Sequence, residues 1–180
     1  MANASVISIG NVKPRELNQG GTSTSKTVFT SDGTTPVICY LPTPNQLGGA
    51  SAPGSAFKVR AWGRVVTSGT LNFTVTLQYG TSATATSNTD IEDSGTTSLA
   101  SLTTNWWIEA WLVWDGDSNR INGAGWCQVH TTLDGLTTID NAITSADPDG
   151  STAVGFVVCG TFGTGAAGNK CYLDGFQIEL

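Results

Sequence analysis

Hydrophobic and polar residues alternate one by one along much of the chain, which is the pattern of half-buried β-strands. Between Phe57 and Val65 every second residue is apolar or glycine, and the residues between them are Lys, Arg or Trp. Residues 71–79 alternate in the same way. Because the turn residues Ser68 and Gly69 lie between the two segments, the pattern predicts a β-hairpin.

The stretch 106–114 differs because it is apolar on both faces, with Trp at positions 106, 107, 111 and 114 and a single interruption at Glu109. Such a strand needs cover on both sides, so we expect it at the centre of a sheet, with its second face against another subunit or a long loop. The turn residues at 115–119 predict that it pairs with an antiparallel strand over 120–130.

The last two strands are expected at 154–162 and 170–180, as a hairpin centred on Gly165. Cys159 and Cys171 lie at equal distances from that turn, so a hairpin in this register would bring them together in a disulfide. The alternative is that the four cysteines are reduced and packed as small hydrophobic residues, because no pair has the spacing of a zinc site.

These strands, with few helix signals, predict an all-β chain folded as an antiparallel β-sandwich or jelly roll. Residues 1–25 are rich in Ser, Thr and Gly toward their end and predict an extended N-terminal arm. Residues 26–180 then form a single β-sandwich domain.

Four shorter segments complete the interpretation. Residues 28–29 and 37–41 are expected to add edge strands. The hydroxyl-rich stretch 81–104 indicates a long exposed connection, and residues 137–145 carry a weak helical pattern.

Composition excludes several classes of function. Charged residues are 12% of the chain, the net charge is −6, and no run of Lys or Arg occurs, so we expect no nucleic-acid partner. No apolar stretch approaches the ~20 residues of a transmembrane helix, so we expect no membrane partner. The first residues lack the basic start of a secretory signal. Together with the hydroxyl-rich, lysine-poor composition, this favours a protein made in a cytosol and released by lysis.

The sequence contains only weak indications of a catalytic site. The single histidine, His130, falls near the end of a predicted strand and would have to serve any Ser-His or Cys-His scheme. Glu109 lies between two tryptophans that suit sugar stacking, but a glycosidase needs a second carboxyl group, and none stands out in mid-strand. We therefore predict no enzyme, no catalytic residue and no cofactor.

A metal site is equally weakly indicated. Asp115, Asp117 and Asn119 match the first ligand positions of a calcium-binding EF-hand loop. The match then fails, because Arg120 replaces the required glycine and Trp126 replaces the bidentate glutamate. These three residues stay weak candidates, and a polar turn is the preferred interpretation.

Neighbouring tryptophans give the strongest indication of a contact surface. Because side chains alternate along a strand, Trp106 and Trp107 must point to opposite faces, and one of them lies outside the main core. An exposed tryptophan on a sheet serves either a subunit interface or a sugar platform, and the low charge of this sheet favours the interface. The candidate contact residues are Trp62, Trp107 and Trp111, with Arg15 from the arm.

Four segments, residues 57–70, 72–82, 105–115 and 156–162, together resemble structural proteins of tailed-bacteriophage virions. The ending at 172–179 is similar to the last strand of jelly-roll binding domains found in phage tail proteins and carbohydrate-binding modules. The resemblance covers about residues 57–180.

The resemblance implies a non-enzymatic virion protein, made in the host cytoplasm and exposed on the particle. The first expectation is a head decoration (cement) protein that forms a homotrimer and binds the major capsid protein. The alternative is a tail-associated carbohydrate- or receptor-binding jelly-roll module, whose partner is a glycan.

Overall fold

The computed structural model describes residues 6–8, 15–16, 21–41, 56–115, 120–130, 132–133, 137–142 and 154–179. In chain order its strands are β1 (Val6–Ser8), β2 (Arg15–Glu16), β3 (Thr27–Val28), β4 (Cys39–Leu41), β5 (Ala56–Val66), β6 (Leu71–Tyr79), β7 (Thr89–Asp93), β8 (Thr97–Leu99), β9 (Thr103–Asp115), β10 (Arg120–Val129), β11 (Thr132–Leu133), β12 (Thr137–Ala142), β13 (Val154–Phe162) and β14 (Lys170–Glu179), with a 3₁₀ turn at Ala85–Ser87. In this part of the chain no helix is long and apolar enough to cross a membrane.

The described strands form two antiparallel sheets. The larger sheet has the order β1-β14-β5-β9-β10-β11, and β12 and β2 add to it by pairing with β10 and β14. The smaller sheet has the order β3-β13-β6-β7, with β4 on β13 and β8 on β6. The predicted all-β antiparallel sandwich is therefore confirmed.

One hydrophobic core fills the space between the sheets. Strand β5 shows why: its apolar residues from Phe57 to Val65 are buried at every second position, and its long polar side chains point the other way. Trp106 of β9 is 1% exposed and stacks on Phe29, with ring centroids 6.2 Å apart. Trp106 also lies so close over Gly63 that a Cβ there would collide with the indole.

The predicted hairpin of β5 and β6 is wrong. Strand β5 pairs with β9 and β14 in the larger sheet, whereas β6 pairs with β13, β7 and β8 in the smaller one. The chain crosses between the sheets after β5, where the Thr67 N–H donates to the carbonyl of Leu102 over 2.9 Å. The alternation of apolar and polar residues predicted which residues face the core, but it did not predict which strands pair.

The predicted final hairpin is wrong for the same reason, and the Cys159–Cys171 disulfide fails with it. Strand β13 belongs to the smaller sheet and β14 to the larger one. The Cys159 thiol instead lies 2.9 Å from the Gln78 Oε1, and Cys171 is fully buried in the main core. None of the four cysteines forms a disulfide, and all are buried. Burial raises the pKa of the Cys159 thiol to about 12.

Of the remaining sequence predictions, some are confirmed and others are wrong. Strands β9 and β10 form the predicted antiparallel pair, and β3 and β4 add edge strands to β13 as expected. Residues 81–104 are not merely a connection, because they contain β7 and β8. The weak helical pattern at 137–145 is also wrong, since residues 137–142 form strand β12 against β10.

Parts of the predicted N-terminal arm pair with the sandwich. Both β1 and β2 are antiparallel partners of β14. Gly21 is buried against Asn169, which also accepts a hydrogen bond from the Ser68 N–H over 2.9 Å. The described parts of residues 1–25 thus lie against strand β14 and the loop that precedes it.

Candidate functional site: an aromatic sheet face

The larger sheet has an outer face, which points away from the smaller sheet and carries the polar side of β5, β9, β10 and β14. Cross-strand register places Trp62 beside Trp107, Arg60 beside Glu109, and Lys58 beside Trp111. Trp62 is 40% exposed and Trp111 is 52% exposed. An exposed group of tryptophans on one face is unusual for a protein surface and indicates a binding site.

A β-bulge in β14 gives Trp62 its position. The register of β14 against β5 shifts between Leu173 and Gly175, so Asp174 is the extra residue and Gly175 lies opposite Trp62. A Cβ on Gly175 would collide with the six-membered ring of Trp62, so the indole covers the glycine backbone. Asp174 accepts two hydrogen bonds from the Arg64 guanidinium, at 2.7 and 2.9 Å. Trp62 thus packs on the Gly175 backbone while the residue stays 40% exposed.

Beside this ring lies a cleft of about 340 Å³, here called the Trp62 cleft. It is lined by Arg60, Ala61, Trp62, Trp107, Ile108, Glu109 and Trp126. Trp107 and Trp126 meet edge to face, with centroids 6.1 Å apart and an interplanar angle of 84°. The Trp107 Nε1–H donates to Gln128 Oε1 over 2.9 Å, which fixes the ring. Two of the three aromatic walls, Trp107 and Trp126, therefore pack on each other, and Trp107 is also hydrogen-bonded.

Among the described residues, the charged groups that line the Trp62 cleft are one carboxylate and one guanidinium. Glu109 accepts a hydrogen bond from the Trp111 Nε1–H through Oε1 over 2.9 Å, and Arg60 binds Glu179 through Nη2. A carboxylate has two acceptor oxygens and a guanidinium has five N–H donors, so these contacts leave both groups with capacity for a ligand. An acceptor and a donor are thus available between aromatic walls.

A second cleft of about 260 Å³, here called the Trp111 cleft, lies on the same outer face. It is lined by Ala56, Phe57, Lys58, Trp111 and Glu179. The Lys58 ammonium lies 4.9 Å from the centre of the Trp111 ring, a cation–π contact. Lys58 and Arg60 both pair with Glu179, and these two cations hold the pKa of that carboxyl below its usual range.

Charge on the outer face is balanced. Among the residues whose side chains are described, the cations of this face have carboxylate partners: Lys58 and Arg60 share Glu179, Arg64 has Asp174, and Lys170 has Glu16. A polyanionic ligand would have to displace these carboxylates. The arrangement suits a neutral, hydroxyl-rich ligand better.

Three predicted contact residues, Trp62, Trp107 and Trp111, meet on the outer face. Arg15 lies in β2 beside Leu173, and its side chain is outside the described residues. The predicted cover over the second face of β9 is not seen among the described residues, since Trp111 stays half exposed.

The weak metal candidates gain no support. Asp115 ends strand β9, and Asp117 and Asn119 lie outside the described residues. In the described part of the chain no group of His, Cys, Asp or Glu could hold a metal ion. His130 is exposed after β10, and its Nδ1 lies 3.0 Å from the Thr104 hydroxyl.

Sequence analysis missed several residues of the two clefts: Trp126, Arg60, Lys58 and Glu179. Arg60 and Lys58 alternate with the core residues of β5, which placed them on one face without indicating a site. Trp126 was considered only as a failed calcium ligand. Strand β5, the β9–β10 pair and β14 are far apart in sequence, so the alternation of apolar and polar residues did not predict that they meet.

No family model matches the chain, and no curated protein matches it in sequence. Three solved structures cover nearly the whole chain at low similarity. The CBM2 module of the evolved Dit of Lactobacillus casei BL23 phage J-1 is 12% identical, with a TM-score of 0.35, covering 93% of this chain and 97% of that one. Winged bean acidic lectin, complexed with methyl-α-D-galactose, is 10% identical with the same TM-score and coverage. Lectin I-B4 of Griffonia simplicifolia, in its metal-free form, is 9% identical with a TM-score of 0.34, covering 98% of each chain. Likenesses this distant assign neither a family nor a ligand.

Proposed function

We propose that this β-sandwich is a glycan-binding module and that its outer face binds neutral sugars in the Trp62 cleft. The observation that carries the proposal is Trp62, whose indole covers Gly175 while the residue stays 40% exposed beside a donor and an acceptor. The negative face of an indole attracts the C–H groups on one side of a sugar ring. Arg60 and Glu109 can then bind hydroxyl groups at the ring edge.

Rigidity supports this assignment. The Trp107 and Trp111 indoles are each held by a hydrogen bond of 2.9 Å to a side chain of the same sheet. A site whose rings are already ordered loses little conformational entropy when a ligand binds. Loose surface tryptophans would not offer that advantage.

We propose binding without cleavage. A glycosidase needs one carboxyl group that keeps its proton to serve as general acid. Glu179 is paired with Lys58 and Arg60, which lower its pKa and keep it ionised. Glu109 is the one carboxylate among the described residues that line the Trp62 cleft, whereas a glycosidase needs a pair.

Calorimetric titration with neutral oligosaccharides tests the proposal. Trp62→Ala should weaken binding at least about tenfold, the equivalent of roughly 1.4 kcal/mol. Tyr40→Ala is the matched control, because Tyr40 is 46% exposed but lies in β4 of the smaller sheet. Equal affinities of the two variants would contradict the proposal.

A second candidate keeps the expectation of a head decoration protein. Trp62, Trp111 and Val113 are exposed on the outer face, and such apolar surface also suits a contact with a second copy or with a capsid subunit. Light scattering at micromolar concentration separates the two: an oligomer that Trp111→Ala dissociates favours the interface. Copy number per virion separates the locations, since hundreds of copies indicate the head and a handful indicate the tail.

A further inference from the structure

The Trp62 cleft and the Trp111 cleft lie along the same two strands. Trp62 faces Trp107 across β5 and β9, and four residues away along β5, Lys58 faces Trp111. Four residues of extended strand span roughly 13 Å. Trp62 and Trp111 are therefore too far apart for one sugar ring to stack on both.

Polar side chains fill the row between the Trp62–Trp107 pair and the Lys58–Trp111 pair. Arg60 and Glu109 are cross-strand neighbours in that row. Glu109 binds the Trp111 indole N–H, and Glu179 binds both Lys58 and Arg60. The clefts thus belong to one connected surface with aromatic ends and a hydrogen-bonding middle.

Trp111 has the features of a second platform. Its N–H is held by Glu109 over 2.9 Å, and the Lys58 ammonium supports its ring at 4.9 Å, yet the residue is 52% exposed. This parallels Trp62, whose ring is held by Gly175 and is also exposed. Two held, exposed indoles at the ends of a polar row match an extended ligand with repeated apolar faces and hydroxyl edges.

We infer that the outer face binds a linear neutral oligosaccharide whose rings occupy both clefts at once. The part of the ligand between Trp62 and Trp111 contacts Arg60 and Glu109. This inference rests on the proposed glycan-binding function and adds that the module recognises a chain rather than a single terminal sugar. It assigns Trp111 to affinity for longer ligands and Trp62 to affinity at every length.

The test is a titration series from monosaccharide to hexasaccharide, using gluco-, galacto-, manno- and N-acetylglucosamine oligomers as probes. For the series that binds, affinity of the intact protein should rise with length by about tenfold or more and then level off. Trp111→Ala should reduce the ratio of hexasaccharide to disaccharide affinity about tenfold. Trp111→Phe, which keeps a ring, should restore part of that ratio. Trp62→Ala should weaken all lengths, and Tyr40→Ala none.

Two different failures are distinguishable. Affinity that is independent of length, or a ratio that Trp111→Ala leaves unchanged, overturns the extended site while the Trp62 cleft stands as a site for a single sugar. Absence of binding by every series at every length overturns the glycan-binding function itself, together with this inference.

Discussion

Two tryptophans adjacent in sequence, on the two faces of strand β9, have opposite surroundings. Trp106 points inward, is 1% exposed and packs between Gly63 and Phe29. Trp107 points outward into a solvent-accessible cleft, where Gln128 holds its N–H. The inner indole fills space in the hydrophobic core, whereas the outer indoles line clefts that are open to solvent.

A glycine in the neighbouring backbone makes the packing of both the inner and the outer indoles possible. Gly63 lets Trp106 approach the backbone from inside, and Gly175 lets Trp62 approach it from outside. Phe29 stacks on the Trp106 ring. The Trp62 ring is left 40% exposed. The same close approach therefore contributes to stability on one face and to a binding surface on the other.

The largest expected effect comes from truncating the inner indole. Trp106→Ala should destabilise the fold by about 3–5 kcal/mol, because it removes a fully buried side chain and leaves a cavity. Chemical denaturation measures the loss. Trp107→Ala is the matched control and should cost clearly less, since its site is partly open to water. Equal losses would mean that the two faces of β9 do not differ in the way described.

The next prediction concerns the glycine that supports Trp62. Gly175→Ala adds a methyl group where the indole lies, so the ring must move and oligosaccharide affinity should fall about tenfold. Gly69→Ala is the control, because a Cβ at that turn meets nothing within 4 Å. Calorimetry compares the two. Unchanged affinity in Gly175→Ala would show that the position of Trp62 does not matter.

The next prediction concerns the cysteines, which are buried in both sheets. Cys171 lies in the main core, and Cys159 lies on the far side of the smaller sheet beside Val157. Because both are buried in different sheets, we expect intact mass after alkylation in denaturant, without reductant, to show four modified thiols. Native protein should react far more slowly. A protein with two modified thiols and one bond would contradict the arrangement of β13 and β14.

The smallest expected effect is on pH dependence. The folded-state pKa of Glu179 lies below its unfolded value of roughly 4.3, first because of Lys58 and then Arg60. Its stabilising contribution is therefore complete above that unfolded pKa and is lost as pH falls through the lower folded pKa. Glu179→Gln should be less stable than the intact protein at pH 7, by under about 1 kcal/mol, and the difference should vanish in acid. A difference that grows in acid would contradict the ion pairs.

Sequence alone predicted the strands well and their partners poorly. Alternation identified both faces of β5, and the two-sided apolar run identified β9 as a central strand. The predicted β5–β6 and β13–β14 hairpins were wrong because a connection between two strands can either fold back within one sheet or cross to the other sheet. The turn at Ser68 and Gly69 crosses. The polar strands β7, β8 and β12 were missed because they lack a continuous alternation of large apolar residues.

The candidate site was predictable in part. Because Trp106 and Trp107 are adjacent, one of the two indoles had to lie outside the core. Both a sugar platform and a subunit interface were possible uses of it. Gly175 could not be recognised as the support of Trp62, because their pairing depends on the bulge at Asp174. Arg60 and Trp126 reach the Trp62 cleft through β5 and β10, which lie more than fifty residues apart in sequence.

Glycan binding on the outer face is tested most directly by the NMR spectrum of the indole N–H groups during titration with a binding neutral oligosaccharide. Assignment by single Trp→Phe variants identifies each signal. We expect large shifts for Trp62, Trp107 and Trp111 on the outer face and none for Trp106 in the core. Shifts confined to Trp106, or no shift on the outer face while ligand binds, would contradict it.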